Sequence, residues 1–136
     1  MWVLLDGSAK RTSFLSAAVE ALGLSPRVEV ASGRAEELGR GPLRGTIDLV
    51  VARSFAAPAA TAECAAGFLR VGGQLLVAEP PGGAPERWAS EALDLLGLAI
   101  GRSSSQPTAL QILDQVRPCP DRYPRRVGVP SKRPLF

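Results

Sequence analysis

The sequence contains no histidine. That absence removes Ser-His and Cys-His nucleophile pairs, and with them the usual hydrolase chemistry, because a hydroxyl or thiol has no imidazole to take its proton. Any reaction performed here runs without one. Cysteine is scarce as well: Cys64 falls in an alanine-rich stretch and Cys119 among prolines, so neither a disulfide framework nor a zinc ligand set is expected. No apolar run approaches the roughly 18 residues of a membrane-spanning helix, and no charged-then-apolar leader opens the chain. A cytoplasmic protein with no membrane partner is expected.

At 136 residues, 46% of them hydrophobic, the chain suits one domain around one core. Its charge is uneven. From residue 117 onward Arg117, Arg122, Arg125, Arg126, Lys132 and Arg133 stand against Asp121 alone, a net +5 in a chain whose total is +3. Pro124, Pro130 and Pro134 fix φ and remove backbone donors, so residues 117–136 read as an extended surface strap apart from a domain at 1–116. Guanidinium forks meet phosphate oxygens bidentately, and proline lowers the entropy lost on docking, so Arg125, Arg126, Lys132 and Arg133 are candidate RNA contacts. A solubilising or packing tail is the alternative.

Residues 1–116 alternate apolar runs with helical patterns. Trp2–Asp6 reads as a strand breaking at Gly7. Ser8 can cap a helix from about Ala9 to Leu22, with Phe14, Leu15, Ala18, Val19 and Leu22 on one face. A strand at Arg27–Ala31 and a short helix at Arg34–Leu38 follow. Ile47–Ala52 reads as a strand buried on both faces, and Ala57–Leu69 as a helix with Pro58 in its first turn. Gly72-Gly73 ends that unit before a strand at Gln74–Ala78 and a helix at Glu86–Leu96. Strands at about Leu98–Arg102 and Ala109–Val116 are close enough for an antiparallel hairpin. The pattern predicts an α/β fold, mostly parallel, with helices on both faces.

In such sheets ligands bind beyond the C-terminal strand ends. Asp6, Ser32–Glu37, Arg53 and Glu79 fall there. A carboxylate placed like that of Asp6 can hold two ribose hydroxyls, or simply cap the turn that follows it.

Four segments in order resemble the glucose-inhibited division protein B family, bacterial methyltransferases of a small-subunit (16S) rRNA guanine N7. They are Leu4–Leu15, with its acid and Ser-x-x-Lys-Arg pattern, Ser32–Glu37, Val51–Ala56 and, most specific, Tyr123-Pro-Arg-Arg-Val-Gly-Val-Pro130. The resemblance implies a Rossmann-like methyltransferase sheet ending in an antiparallel hairpin, with S-adenosylmethionine as cofactor and ribosomal RNA as partner. It implies that Asp6 holds the cofactor ribose, that Ala35 and Glu36 meet the adenine, and that Arg53 is the catalytic placement residue. Lys10 and Arg11 would touch RNA phosphates or support the fold. Guanine N7 offers a lone pair and loses no proton on methylation, which suits a protein without histidine.

The sequence departs from the family in three places. It starts on what would be the second strand, without the first central strand and its glycine-rich loop; Glu79 stands where the family usually has lysine, and Thr108 where it often has arginine. An N-terminally truncated member with its natural start upstream is expected, and an in-frame stop just before Met1 would exclude that. Until then the sheet could be completed by closure of its two edges, by a homodimer, by another chain or by a missing segment. Three readings stand side by side: a methyltransferase or part of one, a non-catalytic RNA-binding or ribosome-assembly module, and a free-standing dimerising domain.

Overall fold

The computed structural model describes all 136 residues. It contains two sheets. In the first, β1 (Trp2–Asp6) pairs in parallel with β2 (Val28–Ser32), setting Asp6 opposite Ser32. The connecting helix α1 (Ala9–Ala21) starts at Ser8, whose Oγ accepts the Arg11 N–H at 3.5 Å. Thr12 and Val19 are its buried residues, whereas Phe14 and Leu22, expected on the inward face, are 72% and 70% exposed. The reason is a narrow support: α1 rests on β1 and β2, and two strands cover only part of a helix face.

The second sheet has the order β3-β4-β6-β5, formed by β3 (Ile47–Ala52), β4 (Leu69–Ala78), β5 (Leu98–Ser104) and β6 (Leu110–Gln115). β3 and β4 run parallel; the β4–β6 and β5–β6 pairs are antiparallel, giving the expected hairpin. Helix α2 (Ala35–Leu38) lies between β2 and β3, and α3 (Pro58–Phe68) crosses from β3 to β4. Every residue of α3 from Ala59 to Phe68 is buried, and Pro58 opens the helix where its missing N–H has no intrahelical partner to lose. The mixed parallel and antiparallel sheet is the α/β arrangement expected of a methyltransferase.

Three local features differ from the sequence reading. β4 begins at Leu69 rather than Gln74, running through Gly72-Gly73 with a register shift against β3 between Ile47 and Leu49. A Cβ on Gly73 would lie 2.9 Å from the Ile47 carbonyl oxygen, so the glycine marks a crowded strand crossing rather than a stop. The helix expected over 86–96 is instead a 3-10 turn at Pro85–Arg87 followed by α4 (Ser90–Asp94). Trp88 between them is extended, its indole drawn to Glu79, and this interrupts the helix.

The main core gathers Leu69, Leu75, Leu93, Leu96, Leu98 and Leu113 with Trp88 and Tyr123. A smaller cluster of Ala35, Cys64 and Phe68, backed by Leu5, Leu38, Ile47 and Val50, links the two sheets. β3 is not buried on both faces: Val50 packs against the core, whereas Leu49 and Val51, which alternate with it on the opposite face, are 40% and 56% exposed.

The tail overturns the surface-strap expectation. Tyr123, Pro124 and Pro130 are buried, and α5 (Val129–Lys132) forms one helical turn with Pro130 near its start. Prolines leave carbonyls without a ladder, and two arginines supply the donors. Arg40 donates to the carbonyls of Pro124 (2.7 Å) and Arg122 (3.0 Å); Arg44 donates to those of Tyr123 (2.8 Å), Cys119 (2.9 Å) and Pro120 (3.1 Å). The tail comes so close to α3 that a Cβ on Gly67 would sit 2.7 Å from Pro124 Cδ. Only glycine fits there without displacement.

Candidate functional site

The parallel register of β1 and β2 brings Asp6 beside the turn that starts α2. The Gly33 N–H donates to the Asp6 carbonyl at 3.1 Å, and the hydroxyls of Thr12 and Ser32 lie 3.3 Å apart, tying α1 to the end of β2. Asp6 Oδ1 accepts the Ser8 N–H at 2.7 Å and Oδ2 accepts Arg11 Nε–H at 2.8 Å. The Ser8 bond, then that from Arg11, hold its carboxyl below the usual aspartate range. A carboxylate has about four lone-pair sites, so two of those on Asp6 remain for outside donors. This spare acceptor capacity fits a pair of donating ribose hydroxyls.

Ala35 and Glu36 stand at the start of α2, and both are buried. Glu36 turns its side chain inward: Oε1 accepts from Arg34 at 3.2 Å and from the Gly128 N–H in the tail at 3.0 Å. Burial pushes its carboxyl up, but the N–H bonds and Arg34 outweigh this and leave it below its ordinary value. The bonds from Arg34 and Gly128 both fall on Oε1, so the turn offers a ligand backbone groups of Ala35 and Glu36 and the remaining oxygen of the Glu36 carboxylate. Lys10 is exposed, and Arg11 is engaged with Asp6, which favours support over phosphate contact for Arg11.

At the ends of β3 and β4 lies a cavity of about 370 Å³. Arg53 and Phe55 line it, on either side of Ser54, which adopts a left-handed backbone (φ 52°) that a residue with a Cβ takes at a cost of about 1–3 kcal/mol. Glu79, Arg87 and Trp88 also line it. Glu79, only 3% exposed, accepts from Arg87 at 2.7 Å on one oxygen and from the Trp88 indole N–H at 2.8 Å on the other. Arg87 and Trp88 escaped the sequence reading because they reach Glu79 across a Pro-Gly turn, without helical or strand periodicity.

Of the four tail cations expected on RNA, Arg126, Lys132 and Arg133 are exposed. Arg125 is the correction. Its guanidinium contacts both oxygens of the fully buried Glu63, at 2.6 Å on Oε2 and 2.9 Å on Oε1, and its N–H donates to Oε1 at 2.7 Å. The bonds to Glu63 raise the Arg125 pKa further, fixing its charge inside the protein. Nothing in the sequence marked Glu63, in an alanine-rich helix, as the partner; the paired-arginine motif could equally hold tail to body.

Residues 1–80 match the model of the family described as rRNA small subunit methyltransferase G. Curated proteins named Ribosomal RNA small subunit methyltransferase G are similar over nearly the whole chain. The one from Syntrophomonas wolfei is 34% identical, covering 98% of this chain and 65% of its own length. The one from Deinococcus deserti is 40% identical, covering 97% and 57%. The chain thus spans roughly three-fifths of these relatives. Among solved structures, a protein from Corynebacterium glutamicum matches with a TM-score of 0.59 at 17% identity, over 85% of this chain and 60% of that one. A T. thermophilus 16S rRNA N2 methyltransferase in complex with AdoMet and guanosine matches with a TM-score of 0.52 at 24% identity, over 87% and 30%. These two likenesses concern the fold.

Proposed function

As the chain belongs to the rRNA small subunit methyltransferase G family, we propose that it serves methyl transfer from S-adenosylmethionine to N7 of a guanine in small-subunit (16S) ribosomal RNA. The observation that carries the reading is the meeting of Asp6, with acceptor capacity to spare, and the Ala35–Glu36 turn at the paired ends of β1 and β2. In this reading Asp6 accepts two ribose hydroxyls, and backbone groups at Ala35 and Glu36 contact the adenine. When bound, S-adenosylmethionine supplies a methyl group on a positively charged sulfur. Guanine N7 has an available lone pair and gives up no proton, so the protein's task is placement. Arg53, exposed at the end of β3, steers the RNA into the adjoining cavity. Arg126, Lys132 and Arg133 add sequence-independent phosphate contacts. The cell compartment of such a reaction is the cytoplasm.

Titration calorimetry of S-adenosylmethionine and its demethylated product into the chain at low salt tests the reading. Micromolar binding that Asp6→Ala abolishes is the expected result, followed by transfer of labelled methyl to 16S rRNA. Undiminished binding by Asp6→Ala refutes the role of Asp6. The exposed tail cations favour a second reading, a non-catalytic RNA-binding or assembly module. That reading requires salt-dependent RNA binding without any response to cofactor.

A further inference from the structure

The cavity at the ends of β3 and β4 presents two guanidinium groups, of Arg53 and Arg87, against one carboxylate, that of Glu79. No other charged side chain lines it, so its net charge is positive. Glu79 is a poor ligand for anything entering, since it is buried and both its oxygens already have protein donors. It is well suited to aim its partner. Arg87 gives one N–H to Glu79 and is 36% exposed at the cavity, leaving most of its five donors available. A guanidinium fixed in advance loses less side-chain entropy when it binds an oxyanion, and charge-assisted bonds to phosphate are among the stronger hydrogen bonds in proteins. Phe55, half-exposed on the same wall, offers a flat apolar face of the kind on which bases stack. The volume falls within the range of small-ligand pockets, roughly 300–1,000 Å³.

We propose that Arg87, held by Glu79, binds the phosphodiester of the RNA nucleotide whose base enters this cavity, beside Arg53 and against Phe55. This rests on the reading of the chain as an RNA methyltransferase fold. Arg87 is a binding residue in that scheme and Glu79 a positioning residue acting through it.

Trp88 lines the cavity and Trp2 is the only other tryptophan, so the full chain carrying Trp2→Phe reports on this site by fluorescence. The probes are guanosine, guanosine 5′-monophosphate, a dinucleotide in which guanosine bears a phosphodiester, and inorganic phosphate. The expected result is at least about tenfold tighter binding of both phosphorylated nucleosides than of guanosine. Arg87→Ala removes that increment and leaves guanosine affinity unchanged; Arg87→Lys restores part of it. Glu79→Gln, which keeps an acceptor for the indole, lowers the increment alone, a selectivity that damage to the fold would not produce. An increment that survives Arg87→Ala overturns the proposal, as does one confined to the monoester or matched by inorganic phosphate. The same variants are tested for cofactor and 16S rRNA binding. If those persist while the increment ignores Arg87, the phosphate site fails and the methyltransferase reading stands. If no variant binds cofactor or RNA, the methyltransferase reading fails while the nucleotide titration still judges Arg87.

Discussion

β1 and β4 are comparably apolar strands, yet Leu75 of β4 is fully buried while every residue of β1 and β2 stays partly or wholly exposed. β4 lies between β3 and β6 and packs with α3, α4 and Tyr123 around one core. β1 has β2 on one side and no strand on the other. An apolar run therefore states what a strand is able to bury, and its neighbours decide what it does bury. The comparison extends to charge. In the four-stranded half Glu63, Arg44 and Arg40 are spent on the tail, whereas in the two-stranded half Asp6 keeps acceptor capacity and Lys10 is exposed. Polar groups that meet the tail are settled internally, whereas those at the strand ends of either half, Asp6 in one and Arg53 and Arg87 in the other, remain available for ligands.

The largest expected effect comes from breaking the settled half. Glu63→Ala leaves the part-buried Arg125 guanidinium and N–H without their acceptor and empties a fully buried position, and thermal melting is expected to show a loss of about 3–5 kcal/mol. A loss under about 1 kcal/mol would mean that the tail is not fastened there. Alkaline unfolding gives the next effect. Burial, with Glu36 and Glu63 nearby, pushes the Cys64 thiol up to about 12, from 9.0. A raised folded-state pKa gives stability that is intact below the unfolded value and is lost as pH rises. The unfolding free energy from denaturant titrations should therefore fall between pH 9 and 12, by as much as ~4 kcal/mol on this account, and fall less in Cys64→Ala. The smallest effect sharpens the contrast from the other side: Val51→Thr, on the open edge of β3, should change stability by less than about 0.5 kcal/mol. A cost like that of a core substitution would show that this edge is covered in solution.

Much of this organisation was readable from the chain. The bounds of the Ile47–Ala52 strand, though not its burial, the Ser8 cap, the Pro58 helix start and the final hairpin follow from local chemistry that operates within a few residues. Family motifs singled out Asp6 and Arg53, which lie at the ends of β1 and β3. What escaped was long-range. Phe14 carries the same local signal whether or not a surface exists to receive it, and Gly73 looks like a turn until Ile47 is known to lie against it. Arg125 was read outward because proline and arginine density says nothing about a carboxylate buried in α3. Glu79, without a rationale as a lone acid after a strand, acquired one when Arg87 and Trp88 came into contact with it.

The fastening of the tail also has a consequence in time. Glu63 meets the Arg125 N–H across 62 positions, and Glu36 meets Gly128 across 92. During synthesis both carboxylates are made long before their tail partners, and an interior that encloses Glu63 early must do so around an uncompensated charge, whereas Glu36 already has Arg34 beside it. Closing such distant pairs also carries the loop-closure entropy that slows folds rich in non-local contacts. The turn at Ala35–Glu36 and the interior of α3 therefore reach their final form only when the last dozen or so residues emerge, and a nascent chain stopped short of Arg125 leaves Glu63 without a partner and Glu36 with Arg34 alone.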